Sequence, residues 1–122
     1  MARRALTKSH SPGKLGPAVA GTIEEGETYD FNITKETKEE IGLENVKLKK
    51  GTKSKIELVG RLRYFLQWYS AKIDKPAEEF KIQKSEVAEV RWFSKEELKK
   101  KLRENPSEFI YSINQWIGLF FN

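Results

Sequence analysis

The segment from Gly21 to Leu43, GTIEEGETYDFNITKETKEEIGL, constrains this chain more than any other. From about Thr28 to Ile41 it contains no proline and reads as a helix, and Gly42 follows as a stop signal. On that helix Glu36, Glu39 and Glu40 are related by three and four positions. Their carboxylates therefore crowd one face, with Cβ atoms about 5–6 Å apart. Like charges at this spacing cost roughly 0.2–0.5 kcal/mol per pair on an exposed helix. A helix does not need that arrangement to fold. A hard divalent cation would offset the repulsion, because carboxylate oxygens are the ligands that Mg²⁺ prefers. Taken alone, the three glutamates also fit an acidic, solvated face with Lys35 and Lys38 interspersed.

The acidic cluster is notable because the chain around it is basic, with 23 Lys and Arg against 18 Asp and Glu and a net charge of +5. An anionic partner explains such a balance, and so does a scattered, solvated lysine surface. The absence of cysteine excludes disulfides, thiolate metal sites and a cysteine nucleophile. The sole histidine, His10 in KSHSPGK, reads as an exposed loop residue. With 122 residues, 38% hydrophobic and 11% aromatic, the chain has the material for a single folded domain over 1–122 with one core. Neither a membrane-length apolar run nor the apolar centre of a signal peptide is present, so the expected setting is cytoplasmic, without a membrane partner.

Periodicity and punctuation give a mixture of strands and helices, an α+β class. KLGPAVAGTI predicts a strand ending near Ile23. VKLKK and KSKIELVG predict two strands around a turn at Gly51, and RLRYFLQWYSAKI a long, partly buried strand. EVAEVRWFS predicts another strand. Ser94 with Glu97 three residues on forms a capping box that opens the helix KEELKKKLREN, which Pro106 ends. SEFIYSINQWIGLFF predicts a second C-terminal helix with an apolar face. Trp92 and Trp116 read as core anchors. Tyr64 and Trp68, four apart on one strand face, either stack a base or fill the core, and the core is the better reading.

The whole pattern of the opening segment resembles the Nudix box. Gly21 is followed by five residues and Glu27, then by seven more to Lys35 and Glu36, then by Glu39, Glu40, Gly42 and Leu43. Lys35 stands where the family has arginine, and Thr37 where it has an apolar residue. Asn32 and Thr34 are also polar in a segment that is often apolar or small. The stretch RRALTKSHSPGKLGPAVAGTIEEGETY, with EVAEVRWFSKEEL and ENPSEF, resembles the Nudix branch related to isopentenyl-diphosphate isomerase. Isomerase chemistry itself is not expected, because that enzyme uses a cysteine and histidine ligands that this chain lacks.

The resemblance implies an α/β/α sandwich with a mixed sheet, N-terminally shortened. Relatives carry a strand before the Arg-Arg pair, whereas here the sequence starts at Met1 with Arg3 and Arg4 already in place. An open sheet edge would then invite a homodimer; a misplaced start or a truncated chain are the competing explanations. The resemblance also implies metal ligation by Glu36, Glu39 and Glu40, with the Gly21 carbonyl as a candidate fourth ligand, and structural roles for Glu27 paired with Lys35 and for Gly42. The implied cofactor is Mg²⁺, with Mn²⁺ as an alternative. The implied reaction is hydrolysis of a diphosphate linkage in a small nucleoside-diphosphate-type substrate. Glu40, Glu86 and Glu39 are the catalytic candidates, with Glu40 or Glu86 as the base. Arg4, Lys8 and Lys14 are candidate phosphate contacts. Each of these three, like Glu86, is equally plausible as an ordinary surface charge. Two other readings compete: a non-catalytic Nudix-like domain binding a nucleotide or a protein, and nucleic-acid binding through the basic surface. No specific nucleic acid is expected, because the sequence shows no recognisable motif for one.

Overall fold

The computed structural model describes residues 1–57 and 63–121. The chain is α+β, with two α-helices and antiparallel strand pairs among the described residues. It divides into two compact units, Met1–Glu44 with Lys75–Ile110, and Asn45–Asp74 with Tyr111–Asn122.

In the first unit, β1 (Ala2–Arg4) lies between β2 (Leu15–Gly16) and a later strand, Val87–Val90. Both pairings are antiparallel, and the register shifts between Arg3 and Arg4 on the Val87 side. Among the described residues, the parallel character expected of the sheet is confined to one bridge between Leu15 and Phe109. Helix α1 (Tyr29–Ile41) starts where Thr28 Oγ1 accepts the Phe31 N–H at 3.1 Å. It stops at Gly42, whose φ of 71° lies in the left-handed region that glycine adopts without strain. Ala2, Ala5, Leu15, Ile41, Phe80, Val87 and Phe109 are buried in this unit. Helix α2 (Lys95–Glu104) follows the Val87–Val90 strand, with the Glu97 N–H bonded to Ser94 Oγ at 3.0 Å as the capping box predicts.

The second unit is a long antiparallel ribbon of β3 (Lys49–Glu57) and β4 (Arg63–Ser70), followed in order by β5 (Val87–Val90) of the first unit. Ile56 is fully buried, Trp68 stacks on Trp116 with ring centroids 4.7 Å apart, and Phe120 meets both rings edge-on. Trp116 is thus the core residue expected, and Trp68 packs instead of waiting for a base.

Four expectations need correction. The strand predicted to run to Ile23 stops at Gly16, and a loop continues to Thr28. Gly51 is no turn: it lies inside β3, where a one-residue irregularity between Lys50 and Lys53 shifts the register. The 58–62 part of the neighbouring strand expectations lies outside the described residues. The C-terminal segment forms short 3-10 turns at Pro106–Glu108, Ile113–Gln115 and Ile117–Phe120 in place of a helix. Trp116, at φ −137°, departs from helical geometry as its indole meets Trp68. Finally, Trp92 is 53% exposed. It sits just past β5, with its Nε1 donating to the Lys75 carbonyl at 2.8 Å and its ring tilted on Phe80.

Candidate functional site

The site is built on the C-terminal half of α1 and on two segments that close against it. The first is the 21–28 loop. A Cβ on Gly21 would lie 2.5 Å from Glu36 Cγ and 2.6 Å from Asn32 Oδ1, so only glycine lets the backbone approach this closely. The Gly21 main chain therefore lies directly beside the Glu36 side chain. Asn32, 3% exposed, holds the loop down: its Nδ2 donates to the Thr22 carbonyl at 3.0 Å and to Glu27 Oε1 at 3.3 Å. Glu27 accepts two further anchors, since Oε1 also takes the Glu24 N–H at 2.9 Å while Oε2 takes Lys35 Nζ at 2.8 Å. The Lys35 hydrogen bond holds the Glu27 carboxyl below its ordinary range, and the same bond raises Lys35. Glu27 and Lys35 thus pair across the loop and helix, with a point-charge ammonium in place of a planar bidentate guanidinium.

The second segment is the turn before β5. The Gln83 N–H donates to the Glu40 carbonyl at 2.9 Å, and the Glu86 and Val87 N–H groups both return to the Gln83 carbonyl, at 2.9 and 2.8 Å. This turn carries Glu86 to the end of α1, where Lys8 forms an ion pair with it. Gly42 fits against Lys81, whose Cβ and carbonyl would stand 2.7 and 2.9 Å from an added Cβ.

At the centre is Glu40. It is 8% exposed, and its Oε2 is buried without a hydrogen-bond partner. Burial, then the Glu36 side chain beside it and the charge of Glu86, push its carboxyl up to about 8, against a small opposing effect of Lys8. A buried acceptor with no donor is a costly arrangement in a folded protein. A cation is a partner that would satisfy that oxygen and quiet the repulsion with Glu36 and Glu86 together. The donor set consists of hard oxygens, which suits such an ion. Among the described residues no three His, Cys, Asp or Glu side chains are already gathered closely enough to hold a metal.

Glu36 and Glu40 share this face, with Glu39 on α1 but exposed beside them. Of the expected phosphate contacts, Lys8 reaches the carboxylates. Arg4 Nε donates to the His10 carbonyl at 2.9 Å, and Lys14 bonds the Ser107 carbonyl. Thr37, the other departure from the box, is 6% exposed and returns its hydroxyl to the Ile33 carbonyl at 2.6 Å. It fills an apolar position without leaving its hydroxyl unbonded. Sequence reasoning missed Asn32 as the anchor of the 21–28 loop. Its signal was a polar residue with both donor and acceptor, placed one turn into a helix that follows a glycine-rich loop.

Fold and site together define a small α+β domain in which a glycine-dependent loop closes on a carboxylate-bearing helix. The family model of the NUDIX domain matches residues 1–113, and the chain belongs to that family. Nudix proteins are in general hydrolases of nucleoside diphosphates linked to another group, and they generally use divalent metal ions. Among solved structures the chain is similar to DR0079 from Deinococcus radiodurans, with a TM-score of 0.74 and 20% identity, over 95% of this chain and 69% of that one. At that identity the likeness carries the fold alone. No curated protein sequence matches the chain. No helix among the described residues is long and apolar enough to cross a membrane.

Proposed function

We propose that this protein is a Mg²⁺-dependent hydrolase of a diphosphate linkage in a nucleoside-diphosphate-type substrate. The observation that carries this reading is Glu40, a buried carboxylate with an unpartnered oxygen pressed against Glu36. Glu36, Glu39 and Glu40, with the Gly21 carbonyl, are the residues that would hold the ion. Bound there, it would balance charge on phosphate oxygens and lower the pKa of a water. Glu27 and Lys35 keep the 21–28 loop on the helix and so fix the Gly21 carbonyl. Lys8 pairs with Glu86 and is the candidate contact for a phosphate oxygen. Glu40 or Glu86 accepts the proton of the attacking water.

The test is release of phosphate or nucleotide from a panel of diphosphate substrates. Turnover with Mg²⁺ that disappears in EDTA and falls at least tenfold in Glu39→Gln and Glu40→Gln supports the enzyme. Glu86→Gln separates the two candidate bases: loss of kcat with Mg²⁺ binding retained assigns the base to Glu86, and an unchanged kcat leaves it to Glu40.

A second reading is a non-catalytic Nudix domain that binds a nucleotide or a protein. The lack of three gathered carboxylates among the described residues favours it, as does Lys35 in place of arginine. Saturable nucleotide binding by the folded protein, without turnover on any substrate, would decide for this second reading.

A further inference from the structure

The β3–β4 ribbon has one face given to packing and one turned outward. On the packed face, Ile56 is fully buried opposite Tyr64, and Trp68 donates its Nε1 to Ser54 Oγ at 3.1 Å while stacking on Trp116. Alternation along β4 places Phe65, Gln67 and Tyr69 on the other face. The register sets Lys55 opposite Phe65, Lys53 opposite Gln67 and Lys50 opposite Tyr69.

That alignment is not what the spacing of the lysines dictates. Lys50 and Lys53 are an odd number of residues apart, so in a regular strand they would point to opposite faces. The irregularity between them adds one residue and restores the parity, which brings all three lysines onto one side. The Gln67 side chain secures it by donating from Nε2 to the Gly51 carbonyl at 2.7 Å. Phe65 is 61% exposed, with Lys53 Nζ 5.6 Å from its ring centroid. Phe65 and Tyr69 are four residues apart, about 13 Å along the strand.

An exposed ring with Lys53 over it, Lys55 opposite it and Lys50 further along the same face is a stacking platform beside a track for phosphates. We propose that this face binds single-stranded nucleic acid, with little base preference: phosphates follow Lys50, Lys53 and Lys55 while bases stack on Phe65 and Tyr69. Charge complementarity selects a polyanion, and the aromatic members select one whose bases are unpaired. A duplex hides its bases, and an acidic protein or an anionic membrane needs the lysines alone. The inference stands independently of the hydrolase reading, since none of these residues belongs to the carboxylate site.

Fluorescence anisotropy with labelled oligouridylate, an abasic strand of equal length and a duplex tests it. The protein should prefer oligouridylate. Phe65→Ala should weaken binding about fivefold or more, whereas Phe65→Tyr should bind like the parent. A Lys53→Gln/Lys55→Gln double variant should reduce the slope of log affinity against log salt by about 1.4. Retained tryptophan emission from the Trp68–Trp116 stack and unchanged thermal unfolding establish that each variant is folded. The proposal is overturned by equal binding of the abasic strand or duplex, by indifference to Phe65→Ala, by absence of binding at low salt, or by binding confined to phosphatidylserine vesicles.

Discussion

Glu40 and Gly21 are the two residues whose placement conflicts most with folding alone. The Glu40 carboxylate is buried against like charge, so removing its charge should relieve the metal-free protein. Glu40→Gln should raise stability at pH 8 in EDTA by roughly 1–3 kcal/mol, read from urea unfolding, and should abolish the stabilisation that Mg²⁺ gives the parent. A loss of stability together with an intact Mg²⁺ response would remove Glu40 from the ion site. Gly21 is held by close approach, with Glu36 Cγ and Asn32 Oδ1 within 2.6 Å of any added Cβ. Gly21→Ala should cost about 1–3 kcal/mol, as overpacking does, and should lower hydrolysis by displacing the loop from Glu36. Unchanged stability would mean that the loop can lift away freely. The Glu27–Lys35 pair was legible from the box spacing, but the role of Asn32 was not. Its two partners, Thr22 and Glu27, lie in a loop whose path no local pattern specifies.

Among the elements, α1 was the most legible. Thr28 caps it, its acidic face repeats at helical spacing and Gly42 ends it, all through contacts within a few residues. Gly42→Ala combines a strained left-handed backbone with close contact to Lys81. It should cost about 1–3 kcal/mol, seen as a lower urea midpoint, and should slow turnover because the Gln83–Glu86 turn is anchored on the same helix end. Ser94→Ala at the start of α2 should cost about 1 kcal/mol and leave turnover unchanged, which makes it the control for pure destabilisation. The elements misread from sequence were those decided by distant partners. The C-terminal segment has apolar residues at helical spacing, yet its trace is set by how Trp116 and Phe120 meet Trp68. Gly51 looked like a turn because glycine commonly is one, but it lies inside β3, against the Trp68 main chain and with its carbonyl accepting from the Gln67 side chain.

For the molecule as a whole, the carboxylates set opposing demands on pH. Glu27 and Glu108 have their pKa values lowered, chiefly by hydrogen bonds from Lys35 and Lys101. Their contribution is present above the ordinary glutamate value of 4.5 and disappears as pH falls through the lowered folded values. Glu40 has the opposite sign. Its folded value is raised to about 8, so the folded state holds a proton there that the unfolded chain releases above 4.5. That contribution is complete below 4.5 and is lost as pH rises towards 8. Thermal unfolding in EDTA should therefore show a maximum on the acidic side of neutrality. Saturating Mg²⁺ should raise Tm more at pH 8 than at pH 5, because it competes with the proton for Glu40. An equal rise at both pH values would place ion binding elsewhere.

By itself the sequence determined the α+β class, helix α1 with its glycine stop, the cap of α2 and the helical spacing of the glutamates, because these depend on neighbours within a turn of the chain. Tertiary structure alone decided that Glu40 is the buried member of its cluster, that Glu86 and Lys8 come to the end of α1, and that one irregularity in β3 aligns three lysines with Phe65 and Tyr69. Those outcomes rest on contacts between residues far apart in the chain, where burial changes the energy of a charge and one residue of register changes which face a side chain occupies.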